Sequence, residues 1–186
     1  TISTATGGVD AGDTVRYQIR VSHTTNSNAG AYNVDVNDTL PATLQNLTLV
    51  SAIVTDGATS TNVSGNFTIS GSALSTTGVI NLLLDTNGSS DQSLTVIVQG
   101  KERDTITPGA TISNSATATW EDSLGNQPAS YTSTGSAPNI TAATAFSLSK
   151  SASPTTVKIG QTVTYQLSVT MLEGTTNNLA IVDTLP

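Results

Sequence analysis

Cysteine is absent from the 186 residues, which removes disulfides, thiolate metal sites and cysteine nucleophiles together. Histidine occurs once, as His23, too few for a zinc site built from several imidazoles or thiolates. His23 stands in the polar stretch HTTNSNAG (23–30), and no Gly-x-Ser-x-Gly elbow accompanies it, so an exposed loop histidine is expected. Charge is scarce as well: 10% of the residues are charged, and 6 Lys and Arg against 13 Asp and Glu leave a formal net charge of −7. Such a chain lacks the basic patches that nucleic acid or an anionic membrane requires, and neither is expected as a partner. No apolar run approaches the roughly 20 residues of a membrane helix, so no membrane insertion is expected of this segment. Nothing has a helical period. No signal peptide opens the chain, and Thr1 reads as an interior residue of a longer protein. The acids fall mostly at turns, and no constellation for an enzyme is visible.

What is abundant is Thr, Ser, Asn, Gly and Ala, interleaved with Val, Ile and Leu. Regular β-branched alternation of this kind argues for folded strands with polar outer faces rather than for disorder. From Thr14 to Ser22, Val15, Tyr17, Ile19 and Val21 share one face, and Thr14, Arg16, Gln18 and Arg20 the other, the period of a half-buried strand. Arg16 and Arg20 then solubilise an exposed sheet face. Tyr32, Val34 and Val36 alternate toward Asp38, and Pro41, which has no N–H to donate, ends that run. Further strands are expected over 47–56, 67–70, 79–85 (VINLLLD), 94–98 and 111–121, with one edge strand about Tyr131. In 111–121, Ile112, Asn114, Ala116, Ala118 and Trp120 face one way and hydroxyl residues the other. Turns are marked by Asp56-Gly57, Asn87-Gly88 and Pro108-Gly109.

One stretch occurs twice. GDTVRYQIRVS (12–22) recurs as GQTVTYQLSVT (160–170), and each copy leads to Asp-Thr-Leu-Pro, at 38–41 and 183–186. A repeat of this length is a whole domain. The expectation is an all-β chain, an immunoglobulin-like antiparallel β-sandwich in tandem repeats: 1–139 a complete repeat, and 140–186 the opening strands of a second, truncated one. Tyr17, Tyr165 and Trp120 are its expected core markers. About three strands are too few to close a sandwich, so the first repeat or another chain would have to cover the second.

GDTVRYQIRVS, NVDVNDTLP and PGATISNSATATW, with SLSKSASPTTVKIGQTVTYQLSVT opening the second repeat, resemble the bacterial and archaeal cell-surface repeat called domain of unknown function 11. The related isopeptide-forming fimbrial domains share the pattern. The resemblance covers the first repeat nearly end to end and the opening third of the second. It implies sandwiches strung in tandem within a large cell-surface protein, as a stalk or adhesive array.

The relation to isopeptide-forming domains directs attention to Lys-Asn cross-links, in which a buried amine attacks an amide beside a protonated carboxyl group. Asn114 has inward parity, as do Asp38, Asp183 and Lys150. The triad is split, however. Subtracting the 148-residue offset puts Ile2 where Lys150 stands, and no asparagine strand follows Asp183. No isopeptide bond is therefore expected in this chain. The plainer readings are a buried amide satisfied by backbone for Asn114 and a turn cap around Thr39-Leu40 for Asp38.

Cofactors are expected to be none, with calcium the one candidate. Asp85, Asn87 and Asp91 form an oxygen-rich stretch that lacks the ligand spacing of an EF-hand, and a hairpin turn explains the same residues. Glu121 and Asp122, beside Asn126, are a second calcium candidate near the domain exit. Thr111, Ser113, Ser115, Thr117 and Thr119 form a hydroxyl array suited to a glycan or, more simply, to water. Sequons begin at Asn37, Asn46, Asn62, Asn66, Asn87 and Asn139. The function expected is a structural spacer of an extracellular, cell-surface or secreted adhesin-like protein, partnered by neighbouring repeats or other copies in a surface assembly. The alternative is a glycan- or surface-binding adhesion module using loops or the hydroxyl face.

Overall fold

The structure, a computed structural model, describes residues 2–3, 8–85, 91–124, 129–144, 146–176 and 178–185. In chain order the strands are β1 (Ile2–Ser3), β2 (Thr14–Ser22), β3 (Tyr32–Thr39), β4 (Leu44–Asp56), β5 (Thr59–Asn62), β6 (Phe67–Ser70) and β7 (Ala73–Thr76). They continue with β8 (Ser93–Glu102), β9 (Thr111–Ile112), β10 (Ser115–Glu121), β11 (Ser130–Ser136), β12 (Ile140–Thr141), β13 (Ser147–Ser153) and β14 (Thr164–Thr170). The one helical turn described is a 3₁₀ turn at Ser64–Asn66.

Two antiparallel five-stranded sheets, ordered β1-β2-β8-β4-β5 and β11-β10-β3-β7-β6, close face to face. This is the immunoglobulin-like β-sandwich that the alternation implied. Val15 and Tyr17 on β2 and Leu94, Val96 and Val98 on β8 meet Val34 and Val36 on β3 and Leu74 on β7, all buried in one cluster. Each such side chain contributes roughly 1.5–3 kcal/mol when fully buried, and this burial holds the sheets together without disulfides.

Bulges adjust the strands locally. Asn46 (φ 54°) lies where the β4–β8 register shifts between Gln45 and Thr48, and Asn33 (φ 49°) where the β3–β10 register shifts beside Thr119 and Glu121. Asparagine tolerates this left-handed conformation better than most residues, as a bulge requires. The first bulge lays Leu47 over Gly100, where an added Cβ would stand 2.6 Å from Leu47 Cδ2.

Several sequence expectations are corrected. Residues 79–85 form no ladder strand: Ala31 and Leu82 make an isolated bridge, Ile80 and Leu82 are buried, and Val79 points outward. The apolar run reflects two core-filling positions in an extended connection. Residues 111–121 are two strands, because Ser113 and Asn114 leave the ladder between β9 and β10. The chain leaves the first sandwich only after Ala143: β12 pairs with β9, Ile140 and Ala142 are buried, and Ala143 N–H donates to Val9 O at 2.8 Å.

The stretch in which the β2 motif recurs contributes the hairpin β13–β14, with Lys150 opposite Leu167. Its repeat partner in β2 is Ile19. In the first sandwich β1 instead pairs Ile2 with Arg16 and Ser3 with Val15. Ile2 is therefore the counterpart of Ser153 rather than of Lys150, three positions from where a constant offset puts it. Leu179, Ile181 and Val182 are exposed and outside any strand. The loop after β14 touches the first sandwich, where Thr175 N–H donates to Asp104 O at 3.4 Å.

A buried polar cluster beneath an open groove

Asp38 and Asn114 lie 76 residues apart in sequence and meet in the core. Asn114 Nδ2 donates to Asp38 Oδ2 at 2.8 Å. Inward parity places both: Asp38 follows Val34 and Val36 on β3, and Asn114 sits just before β10. Asp38 is 3% and Asn114 8% exposed. Neither of the plainer readings of these residues applies. Asp38 caps no turn, since Leu40 N–H donates to Ser72 O, and the Asn114 amide is partnered by a carboxylate rather than by backbone.

Around the pair, polar atoms are stranded. Asp38 Oδ1, Asn114 Oδ1, Tyr17 Oη, Thr43 Oγ1 and both carboxylate oxygens of Glu102 are buried without a hydrogen-bond partner among the described residues. Such atoms forfeit their water without replacement, a cost of roughly 1–3 kcal/mol each and more when charged. Burial pushes the Asp38 carboxyl above the ordinary carboxylate range, and the Asn114 hydrogen bond offsets part of that. Glu102 is raised as well, first by burial; the nearby Thr43 hydroxyl counteracts this without reaching hydrogen-bond geometry, and the charge of Asp13 adds to the rise. Tyr17 is pushed up to about 12, by burial first and then by the charges of Glu102 and Asp38. Each shift favours the neutral form of its group.

Glu102 was missed by the sequence reading, although a signal existed. Leu94, Val96 and Val98 alternate inward along β8, and two further steps of two arrive at Gly100 and then Glu102.

Over the cluster lies an open groove of about 560 Å³, walled by β2 on one side and by β10 and β11 on the other. Ile19, Val21, Ala116, Ala118 and Trp120 line it, with Asn114 at one end. His23 is half-buried rather than exposed and contacts Leu82 O through Nε2 at 3.0 Å. Trp120, half-buried, stacks on Tyr131 with ring centroids 5.9 Å apart.

In the second repeat, Lys150 Nζ pairs with Asp183 Oδ1 at 2.5 Å and stands 4.6 Å from the centre of the Tyr165 ring. Tyr165 is half-buried, unlike its buried counterpart Tyr17. The four cross-link candidates thus form two separate pairs, Asn114 with Asp38 and Lys150 with Asp183, and Lys150 and Asn114 are not brought together.

Neither calcium candidate assembles a cation cage among the described residues, which contain no group of three or more His, Cys, Asp and Glu suited to a metal. Glu121 accepts from Asn33 Nδ2 at 2.6 Å. Asp122 accepts from Ala129 N–H at 3.0 Å and Tyr131 Oη at 3.3 Å. Asp91 accepts from Asp85 N–H at 2.8 Å, while Asn87, the turn at Asn87-Gly88 and Asn126 lie outside the described residues.

No family model and no curated protein matches the chain, so the resemblance to domain of unknown function 11 has no family match behind it. Solved structures similar to it include BcpA, the major pilin subunit of Bacillus cereus, at 13% identity and a TM-score of 0.45, covering 76% of this chain and 37% of that one. A group B streptococcus pilus 2b backbone protein is similar at 18% identity and 0.46, covering 77% and 57%. The Actinomyces fimbrial adhesin FimA is similar at 15% identity and 0.45, covering 77% and 54%. The chain spans from 37% to 57% of the length of these subunits. The likeness assigns no residue of this chain a role.

Proposed function

We propose that the chain is a structural repeat of a larger extracellular or cell-surface protein, a spacer that transmits tension along a stalk and holds distal parts away from the surface. The observation that carries this reading is how the segment after β1 is tied to the last segment of the first sandwich. Val9 and Ala142 run side by side in a parallel bridge, with Val9 N–H donating to Thr141 O at 3.2 Å and Ala143 N–H to Val9 O at 2.8 Å. Pulling from both ends loads those bonds in shear, so they resist together instead of opening one by one. Gly8 (φ +102°) permits the approach, since an added Cβ would stand 2.9 Å from Thr141 O. The recurrence of the β2 motif at 160–170, beyond this exit, supports arrangement in tandem. Single-molecule pulling on the chain tethered at its two ends is the test. The spacer reading expects one cooperative unfolding event at a force that Gly8→Ala lowers. Unfolding without a resolved force peak would sink it.

A binding role has one observation in its favour. On the outer face of β10 and β11, Ser115 pairs with Ser136, Thr117 with Thr134 and Thr119 with Thr132, a ladder of hydroxyls at the edge of the sheet. Glycan-array binding that disappears on replacing Thr117 and Thr134 by valine would favour this adhesion reading over the spacer.

A further inference from the structure

We propose that the two outer faces of the first sandwich are complementary docking surfaces, the basic face of one copy of this chain packing on the acidic, hydroxyl-rich face of another. The inference concerns contacts beside a stalk rather than along it, so its failure leaves the spacer reading intact.

The charges of the sandwich are sorted between its faces. Arg16 and Arg20 on β2 and Lys101 on β8 point outward from the first sheet, three of the chain's six lysines and arginines. The acids on the strands of that sheet, Asp56 and Glu102, close β4 and β8 with the inward parity of Val54 and Val98. The second sheet is the reverse. β3, β6, β7, β10 and β11 contain no lysine or arginine, and Asp35 and Glu121 face outward from it. Arg16 and Glu121 hydrogen-bond to the neutral amides of Gln99 and Asn33, which leaves their charge in place. The one ion pair among the described residues is Lys150 with Asp183, so none of these five charges is neutralised there.

The pattern of each face suits the other. Lys101 lies opposite Thr14, one diagonal step from Arg16, and Asp35 lies opposite Thr119, one step from Glu121. Diagonal neighbours stand about 7–8 Å apart, so a pair of cations on one face matches a pair of carboxylates on the other. Within the basic face, Ile97 lies opposite Gln18 and Ser51, diagonal to both arginines, and Ile53 is diagonal to Ile97. Neither isoleucine belongs to the core cluster. They form an apolar centre with a charged rim, the anatomy of a protein interface. The surface to be met is the ladder Ser115–Ser136, Thr117–Thr134 and Thr119–Thr132, whose short side chains present methyls and hydroxyls without bulk. These are sheet faces: a further strand beside β2 or β11 would widen them without covering them.

Opposite charge decides the occupant. Two like faces would repel, so the contact is heterologous. Each copy uses its basic face once and its acidic face once, and association continues sideways instead of stopping at a dimer. The net charge of −7 opposes the approach of two copies at long range. At physiological salt the Debye length is about 8 Å, which screens that repulsion while pairs in contact still attract. One such pair contributes little at an exposed site, but copies held side by side along a stalk add their contacts.

Sedimentation of the full chain at rising concentration is the test. Self-association is expected in physiological salt, and its loss in about 1 M salt, where screening reaches down to about 3 Å. Arg20→Glu with Lys101→Glu, and separately Asp35→Lys with Glu121→Lys, should each weaken association roughly tenfold, the scale of two exposed ion pairs inverted. Mixing the two variants should restore it, because the reversed faces are again opposite in charge. A second readout needs no substitution. Carbodiimide coupling of isotope-labelled with unlabelled copies should join Lys101 of one to Asp35 or Glu121 of the other. A chain that stays monomeric, a mixture that associates no better than either variant alone, or Lys101 coupled only to other carboxylates would overturn the proposal. So would association indifferent to these charges, as contact through the exposed Phe146 and Leu148 would be.

Discussion

Replacing Glu102 by glutamine is expected to make the protein more stable at neutral pH. Glu102 is 0% exposed, and neither carboxylate oxygen has a hydrogen-bond partner among the described residues. Burial raises the pKa of Glu102 in the folded state, partly offset by Thr43 and reinforced by Asp13. Since the folded value lies above the unfolded one of about 4.3, the folded state binds the proton more tightly. Stability from this group is therefore fully present below the unfolded pKa and is lost as pH rises through the folded pKa. Asp38 shifts in the same direction, also through burial. Each unit of separation is about 1.4 kcal/mol at neutral pH. Glutamine keeps the shape and removes the charge, leaving only the smaller penalty of an unsatisfied amide. A gain of about 2 kcal/mol is reasonable for the difference between a charged and a neutral unsatisfied group. For a chain of this size that raises Tm by roughly 4–8 °C. Calorimetric melting of both proteins from pH 4 to pH 8 is the assay. The variant should melt higher at pH 7, the gap should narrow on acidification, and the parent should gain stability as pH falls from neutral toward the carboxylate range. A variant that melts below the parent at pH 7, or a gap that widens on acidification, would refute the reasoning.

Asn114→Ala removes the one hydrogen-bond donor to the buried Asp38 carboxylate among the described residues. It should cost about 1.5–3 kcal/mol by denaturant unfolding at pH 7, with most of the loss recovered in the Asp38→Asn background, where no charge is stranded. Calcium chelation should leave the melting temperature unchanged, because Glu121 and Asp122 already serve the chain's own donors; a calcium-dependent rise would show that those carboxylates, or the Asp85–Asp91 stretch, do more than hold turns.

The architecture was legible because strand alternation is a local property. In β2, β3 and β8 a side chain's face follows from counting by two, and the sandwich buries those faces where the counting put them. The same counting placed Asp38 and Asn114 inside, and it would have placed Glu102 there had the run beyond Val98 been followed through Gly100. Alternation says nothing about which inward residues meet. The run at 79–85 shows its limit: apolar content alone does not distinguish a paired strand from an extended connection with two buried side chains.

Composition and periodicity alone determined an all-β chain without thiol chemistry and the inward faces of its main strands. Only the tertiary structure decided the pairing of Asp38 with Asn114, the stranding of Glu102 and the three-residue difference in register that separates Ile2 from Lys150. These depend on contacts between strands far apart in sequence and on which groups remain unpaired once the sheets have closed. A local pattern does not encode that outcome, because it arises from the geometry of two sheets at once.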